Sequence, residues 1–168
     1  MGRLNAGIIQ VTPFQQNCTI LFDEETKAGV VVDPGGDVDV LVKAIEDNGF
    51  SIGEIWLTHG HLDHAGGAME LKERLGVEIV GPHVADAPLL ANIEKQAASF
   101  GVGGLRNCTP DRFLSEGDTV SFGEHVFEVF HCPGHAPGHV VFFDRKARFA
   151  HVGDVLFNGS VGRTDLPG

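Results

Sequence analysis

A chain of 168 residues, 42% of them hydrophobic and 21% charged, is long enough for one domain with a hydrophobic core. A formal net charge of −11 disfavours nucleic acid and anionic membrane surfaces as partners. Three cysteines without CxxC spacing disfavour a disulfide or zinc-finger framework, so we expect a reducing, cytoplasmic location.

The first part of the chain predicts three strands followed by a helix. Apolar runs at residues 8–11 and 18–22 flank a turn-like segment and predict a strand pair, and residues 29–32 predict a third strand. Asp37 is expected to cap a helix whose apolar residues recur at helical spacing, and Gly49 is expected to end it.

The rest of the chain mixes strands with helices and becomes rich in strands towards its end. We predict strands at residues 55–57, 77–80, 120–122, 125–130, 140–143 and 149–152, and helices at about 65–75 and 88–100. No apolar stretch approaches the ~18 residues that a membrane helix needs. This mixture favours an α/β sandwich formed by a single domain over residues 1–168.

Three of the predicted strands lead into side chains that can bind metal ions. These side chains are His59, His61, Asp63 and His64 after the first strand, His135 after the second, and Asp154 after the third. On an extended backbone alternate residues point the same way, so His59 and His61 can share one ion. Asp63 and His64 follow where the chain turns into a helix, and they can face a second ion. Imidazole and carboxylate together suit zinc, iron or manganese better than calcium or magnesium.

The segment 58–64, Thr-His-Gly-His-Leu-Asp-His, resembles the signature of the metallo-β-lactamase superfamily. The segment 132–139 resembles the next metal loop of that family, Gly153-Asp154 the one after, and Asp33-Pro34-Gly35 its early strand-end turn. Within the superfamily the chain is most similar to glyoxalase II-like thioesterases of the hydroxyacylglutathione hydrolase type, especially a shorter bacterial subclass. The resemblance implies an αββα sandwich.

The resemblance also implies a site for two metal ions, with zinc as the expected metal. The first ion would be bound by His59, His61 and His135, the second by Asp63 and His64, and Asp154 would bridge the two. The family supplies a further histidine from a Gly-His-Gly loop near its C-terminus, and no such loop occurs before Gly168. We therefore expect a sandwich whose C-terminal part is missing.

The expected reaction is hydrolysis of a small thioester such as S-lactoylglutathione. Metal-bound hydroxide would attack the thioester carbonyl, and the first metal would stabilise the developing oxyanion. Asp63 is the candidate catalytic residue, since it can orient the nucleophile as well as bind metal. Arg163 lies where related thioesterases place a basic residue for glutathione, and its guanidinium can pair with a carboxylate. The alternative interpretation of Arg163 is an ordinary surface arginine.

Two other functions stay open on the sequence. Persulfide dioxygenases share the implied fold and a Gly-Arg-Thr-Asp segment, and they use one iron with ligands at positions like His59, His135 and Asp154. The third hypothesis is a non-catalytic fragment that binds one metal. We expect His139 to support its loop rather than to bind metal.

Overall fold

The computed structural model describes residues 3–11, 16–133, 136–151, 156–158 and 163–165, the last two segments as backbone strands. Its strands are β1 (Leu4–Val11), β2 (Gln16–Asp23), β3 (Ala28–Val32), β4 (Ser51–Trp56), β5 (Glu78–Val80), β6 (Thr119–Phe122), β7 (His125–His131), β8 (Val140–Asp144), β9 (Phe149–His151), β10 (Leu156–Asn158) and β11 (Arg163–Asp165). Its helices are α1 (Val38–Asn48), α2 (Leu62–Ala65), α3 (Ala68–Leu75), a 3₁₀ helix (Val84–Asp86), α4 (Ala87–Leu90) and α5 (Ile93–Ser99).

The strands form two sheets. The first sheet has the order β11-β1-β2-β3-β4-β5, and the second has the order β10-β9-β8-β7-β6. In the first sheet β1, β2 and β3 are antiparallel, whereas β3, β4 and β5 are parallel. The second sheet is antiparallel throughout the part of the chain that the structure describes. These sheets confirm the α/β class, and each strand predicted within the described residues is found.

The first sheet buries both of its faces, and β3 shows how. Val30 and Val32 point into the core between the two sheets, whereas Val31 points into the core beneath the helices. This alternation follows from the two-residue period of a strand, and a strand covered on both sides is apolar throughout. Trp56 of β4 fills the space between the sheets, with its ring 5.2 Å from that of Phe127. The layers are therefore helix, sheet and sheet, which are three layers of the predicted αββα sandwich.

The helix predicted at residues 65–75 is wrong as a single helix, because α2 and α3 are separate. Gly66 and Gly67 lie between them, against the turn that follows β3. A Cβ at Gly66 would lie 2.8 Å from the Gly35 carbonyl oxygen, and one at Gly67 would lie 2.7 Å from that of Pro34. The two glycines let the turn pack directly on the helix backbone, and the helix is interrupted there.

The helix predicted at residues 88–100 is also divided, into α4 and α5. The side-chain amide of Asn92 donates to the carbonyl oxygen of Pro88 at 3.0 Å, and this contact lies at the end of α4. A side chain that satisfies a terminal carbonyl in this way competes with continuation of the helix. No helix in the described ranges is both long enough and apolar enough to cross a membrane.

The two ends of α1 differ in how well they were predicted. Gly49 ends the helix as expected, with φ of 69° in the left-handed region and the Phe50 amide bonded to the Ile45 carbonyl oxygen. Asp37 is the N-cap residue, as predicted, but the capping hydrogen bond expected from its side chain is not formed. Asp37 has φ of 49° and its side chain makes no capping hydrogen bond, because this backbone conformation differs from the extended one of a capping residue.

Candidate metal centre

The candidate metal centre lies where the parallel strands β3 and β4 end. Val32 and Trp56 are register partners, and the Asp33 amide bonds to the Trp56 carbonyl oxygen at 2.9 Å. The ladder thus brings Asp33 beside the segment that begins at Thr58. Carboxyl ends of neighbouring parallel strands meet at one edge of a sheet, which is where sites of α/β proteins form.

Three of the predicted ligands come together at this edge. The ring centroid of His59 lies 4.9 Å from that of His61 and 4.0 Å from that of His64. The fourth, Asp63, places Oδ2 at 3.8 Å from Nε2 of His64, and its side chain is one-third exposed. His59 and His64 themselves are buried. The site therefore has buried imidazoles on one side and a carboxylate that reaches solvent on the other.

Asp33 sets the orientation of His64. Its Oδ1 accepts the Thr58 amide at 2.8 Å, and its Oδ2 accepts the Thr58 hydroxyl at 2.6 Å and lies 3.0 Å from Nδ1 of His64. An ionised carboxylate only accepts, so Nδ1 of His64 is the nitrogen that carries the proton. The lone pair is thereby left on Nε2, the nitrogen near Asp63. Histidines that bind metal are held by a carboxylate in this manner.

Thr58 does the same for His59. Its hydroxyl donates to Asp33, so its oxygen accepts the proton of His59 Nδ1 at 2.9 Å. Asp33, His59 and His64 each place one possible ligand atom within 4.8 Å of the others. Both oxygens of Asp33 are already used by hydrogen bonds, however, and we assign Asp33 to positioning the histidines rather than to binding an ion.

The electrostatics of the cluster keep these groups in the protonation states that metal binding requires. Burial, followed by the electrostatic influence of the neighbouring His64, lowers the pKa of His59 from 6.5 to about 2, so its imidazole is neutral near pH 7. Burial by itself would raise the pKa of Asp33, but the hydrogen bond that His64 donates to it brings this pKa below its ordinary value. Neutral imidazoles backed by an ionised carboxylate are a donor set that fits zinc or iron.

Two predicted ligands, His135 and Asp154, lie outside the described residues, and their roles stay predictions. Arg163 begins β11, where its backbone is the register partner of Ala6 in β1, and its role also stays a prediction. His139 packs its ring 4.8 Å from that of His59, and its carbonyl oxygen accepts the Cys132 amide. The loop-supporting role expected for His139 also stays a prediction.

Sequence reasoning missed the residues that hold the cluster from behind. Asp33 was recognised only as part of a turn. An acidic residue that directly follows an apolar strand is a candidate site residue, and this pattern could have identified it. Asp86 is fully buried and accepts the amides of Gly60 and Gly138, and no spacing in the sequence points to it. His151 is fully buried as well, with Nε2 at 3.2 Å from the Thr19 hydroxyl.

Comparisons with known proteins agree on a family. The family described as the metallo-beta-lactamase superfamily matches residues 11–168. The hydroxyacylglutathione hydrolase GloC of Haemophilus influenzae is 44% identical over 165 residues, which cover 98% of this chain and 77% of that protein. The crystal structure of TTHA1623 in a di-iron-bound form is 37% identical with a TM-score of 0.77, over 96% of this chain and 78% of that one. The BLEG-1 B3 metallo-beta-lactamase is 30% identical with a TM-score of 0.79, over 97% and 78%.

Proposed function

The chain belongs to the metallo-β-lactamase superfamily, and we propose that it is a metal-dependent hydrolase that cleaves a glutathione thioester. The observation that carries the proposal is the pair of hydrogen bonds that fix Nδ1 of His59 and of His64 through Thr58 and Asp33. They place the lone pair of each ring on Nε2, the nitrogen that can bind a metal ion. The substrate class follows from the 44% identity to a relative that is named hydroxyacylglutathione hydrolase.

The proposed ligand set is the one that the family resemblance implies. His59, His61 and His135 would hold the first ion, Asp63 and His64 would hold the second, and Asp154 would contact both. Divalent ions in such a site lower the pKa of water to near neutrality and polarise a carbonyl. We propose zinc as the metal, and the di-iron form of TTHA1623 makes iron the alternative that metal analysis must test.

The residues of this chain supply orientation and charge. Asp63 is one-third exposed, so one oxygen of its carboxylate could accept a hydrogen bond from the attacking water while the other faces His64. Arg163 would hold a carboxylate of the glutathione moiety through its guanidinium. The free thiols of the three cysteines suit a cytoplasmic enzyme, the location that we propose.

The experiment measures bound metal and hydrolysis of S-lactoylglutathione by the purified protein. Asp63→Ala and His135→Ala are each expected to abolish hydrolysis and to reduce bound metal. Asp39→Ala is the matched control, because this exposed aspartate pairs with Arg74 on the surface. Turnover close to that of the wild type in Asp63→Ala would contradict the proposal.

The same preparation separates the competing functions. One iron per chain, with oxygen uptake on a glutathione persulfide, would replace the hydrolase with a dioxygenase. Cleavage of a β-lactam without cleavage of the thioester would point to the activity named for BLEG-1. One bound metal with none of these activities would favour the non-catalytic fragment.

A further inference from the structure

Asp86 links the two described segments that flank the metal centre. This residue ends the 3₁₀ helix and its side chain is fully buried. Its Oδ2 accepts the amide of Gly60 at 2.8 Å, and its Oδ1 accepts the amide of Gly138 at 2.6 Å. Gly60 stands between His59 and His61, and Gly138 directly precedes His139. One carboxylate therefore holds a backbone amide on each side of the centre.

The packing around Asp86 leaves little room for movement. A Cβ at Gly138 would lie 2.6 Å from the Asp86 amide nitrogen and 2.7 Å from its Cγ. A Cβ at Gly60 would lie 3.2 Å from the Asp86 carbonyl oxygen. The Gly138 carbonyl oxygen also accepts the His83 amide at 3.1 Å. Both segments thus lie close against the 3₁₀ helix, and at Gly138 only glycine fits without a shift.

We propose that Asp86 is a positioning residue of the metal centre, fixing the backbone between His59 and His61 against Gly138 and His139. The inference rests on the proposed function only in that His59 and His61 are proposed metal ligands. Bonds from amides to an ionised carboxylate are short and strong, and burial strengthens them further. The Gly60 bond fixes the peptide plane between two ligands, so it sets the distance between their imidazoles. Residues that hold ligands in this way contribute to metal affinity without contact with the ion.

The first variant is Asp86→Asn, which keeps the shape and one acceptor oxygen. Its amide nitrogen must face the N–H of Gly60 or of Gly138, so one segment loses its acceptor. We expect the metal dissociation constant, measured by competition with a chelating dye, to rise by about ten- to hundredfold. In the metal-free protein, hydrogen exchange at one of these two amides should accelerate.

The matched control is Asp23→Asn. Asp23 is also buried, accepts the amides of Glu25 and Thr26, and bonds to His125. It lies at the far end of β2 from Gln16, which contacts His64, at a distance of roughly 20 Å along the strand. The control should lower the melting temperature while metal affinity stays within about twofold of the wild type.

A second variant keeps the test decisive if Asp86→Asn does not fold. Gly138→Ala leaves the carboxylate intact but pushes its segment away from Asp86, and it should also weaken metal binding by about tenfold. Wild-type metal affinity in a folded Asp86→Asn or Gly138→Ala protein would overturn the inference. Loss of affinity in the variants, together with no thioester hydrolysis by the metal-loaded wild type, would support the inference and contradict the proposed function. Thioester hydrolysis by the wild type, together with unchanged metal affinity in the folded variants, would support the proposed function and overturn the inference.

Discussion

Replacement of Asp33 by asparagine tests the orientation of His64 directly. Asp33 has φ of 57°, a left-handed conformation that asparagine adopts as readily as aspartate, so the backbone should stay in place. The side-chain oxygen of the introduced asparagine can still accept the Thr58 amide, and the Thr58 hydroxyl can turn to accept from the new amide group. Nδ1 of His64 then faces a donor in place of an acceptor, so the bond that its N–H makes to an ionised carboxylate is lost.

The magnitude follows from this single lost bond. A hydrogen bond to a charged group contributes about 1.5–3 kcal/mol, so Asp33→Asn should lower the free energy of unfolding by about 2 kcal/mol. In a chain of this size that is a fall of about 4–8 °C in melting temperature for the metal-free protein. His64 also loses the reason to keep its proton on Nδ1. The tautomer with the proton on Nε2 competes with metal, and affinity should fall by about ten- to hundredfold.

The assay is thermal unfolding of the metal-free protein, followed by titration with zinc against a chelating dye. Asp144→Asn serves as the control, since Asp144 is buried and accepts the amides of Lys146 and Ala147 through the oxygen that asparagine keeps. It should bind metal as the wild type does. If folded Asp33→Asn protein keeps wild-type metal affinity, then the hydrogen bond to Nδ1 does not set the tautomer and the reasoning fails.

Three further predictions concern stability and reactivity. Because the pKa of His59 is lowered from 6.5 to about 2 on folding, the unfolded chain binds more protons in that interval. The free energy of unfolding of the metal-free protein should therefore be highest above pH 6.5 and should fall below that pH, by up to about 1.4 kcal/mol per pH unit. Urea titrations at about pH 7 and pH 5 measure this fall. The same fall in the His59→Gln variant would refute the prediction. Cys132 is exposed and should react with one maleimide in the folded protein, whereas the two other cysteines are buried and should react only after unfolding. Detection of more than one label on the folded protein by mass spectrometry would contradict this. Phe127→Ala should cost about 3–5 kcal/mol in denaturant, and a loss below about 1 kcal/mol would show that the core between the sheets is misplaced.

The elements that the sequence predicts well are those whose signal is local. The spacing of apolar residues in α1 and its terminal Gly49 involve contacts within a few residues, and both are found in the structure. The division of residues 65–75 into two helices depends instead on the turn at Pro34 and Gly35, about 30 positions earlier in the chain. No periodicity within the segment records that contact, because it arises only when β3 and α2 pack together.

The same distinction applies to the metal centre. His59, His61 and His64 are recognisable because a short run of sequence contains them, and the structure brings their rings together. Asp33 and Asp86 lie 26 residues before and 27 residues after His59, and only the ladder between β3 and β4 and the folding of the 3₁₀ helix bring them close. Sequence spacing thus identifies side chains that share a segment, and it misses those that hold the segment in place.

The two buried aspartates control different degrees of freedom of the same histidines. Asp33 acts through side chains, directly on His64 and through Thr58 on His59, so it determines which ring nitrogen carries the lone pair. Asp86 acts on the backbone at Gly60, so it determines where the rings stand relative to each other. Burial of a carboxylate is costly unless positive charge or donors compensate it, and a divalent ion beside the histidines supplies that charge. Metal binding should therefore stabilise the fold through the same two residues that position its ligands.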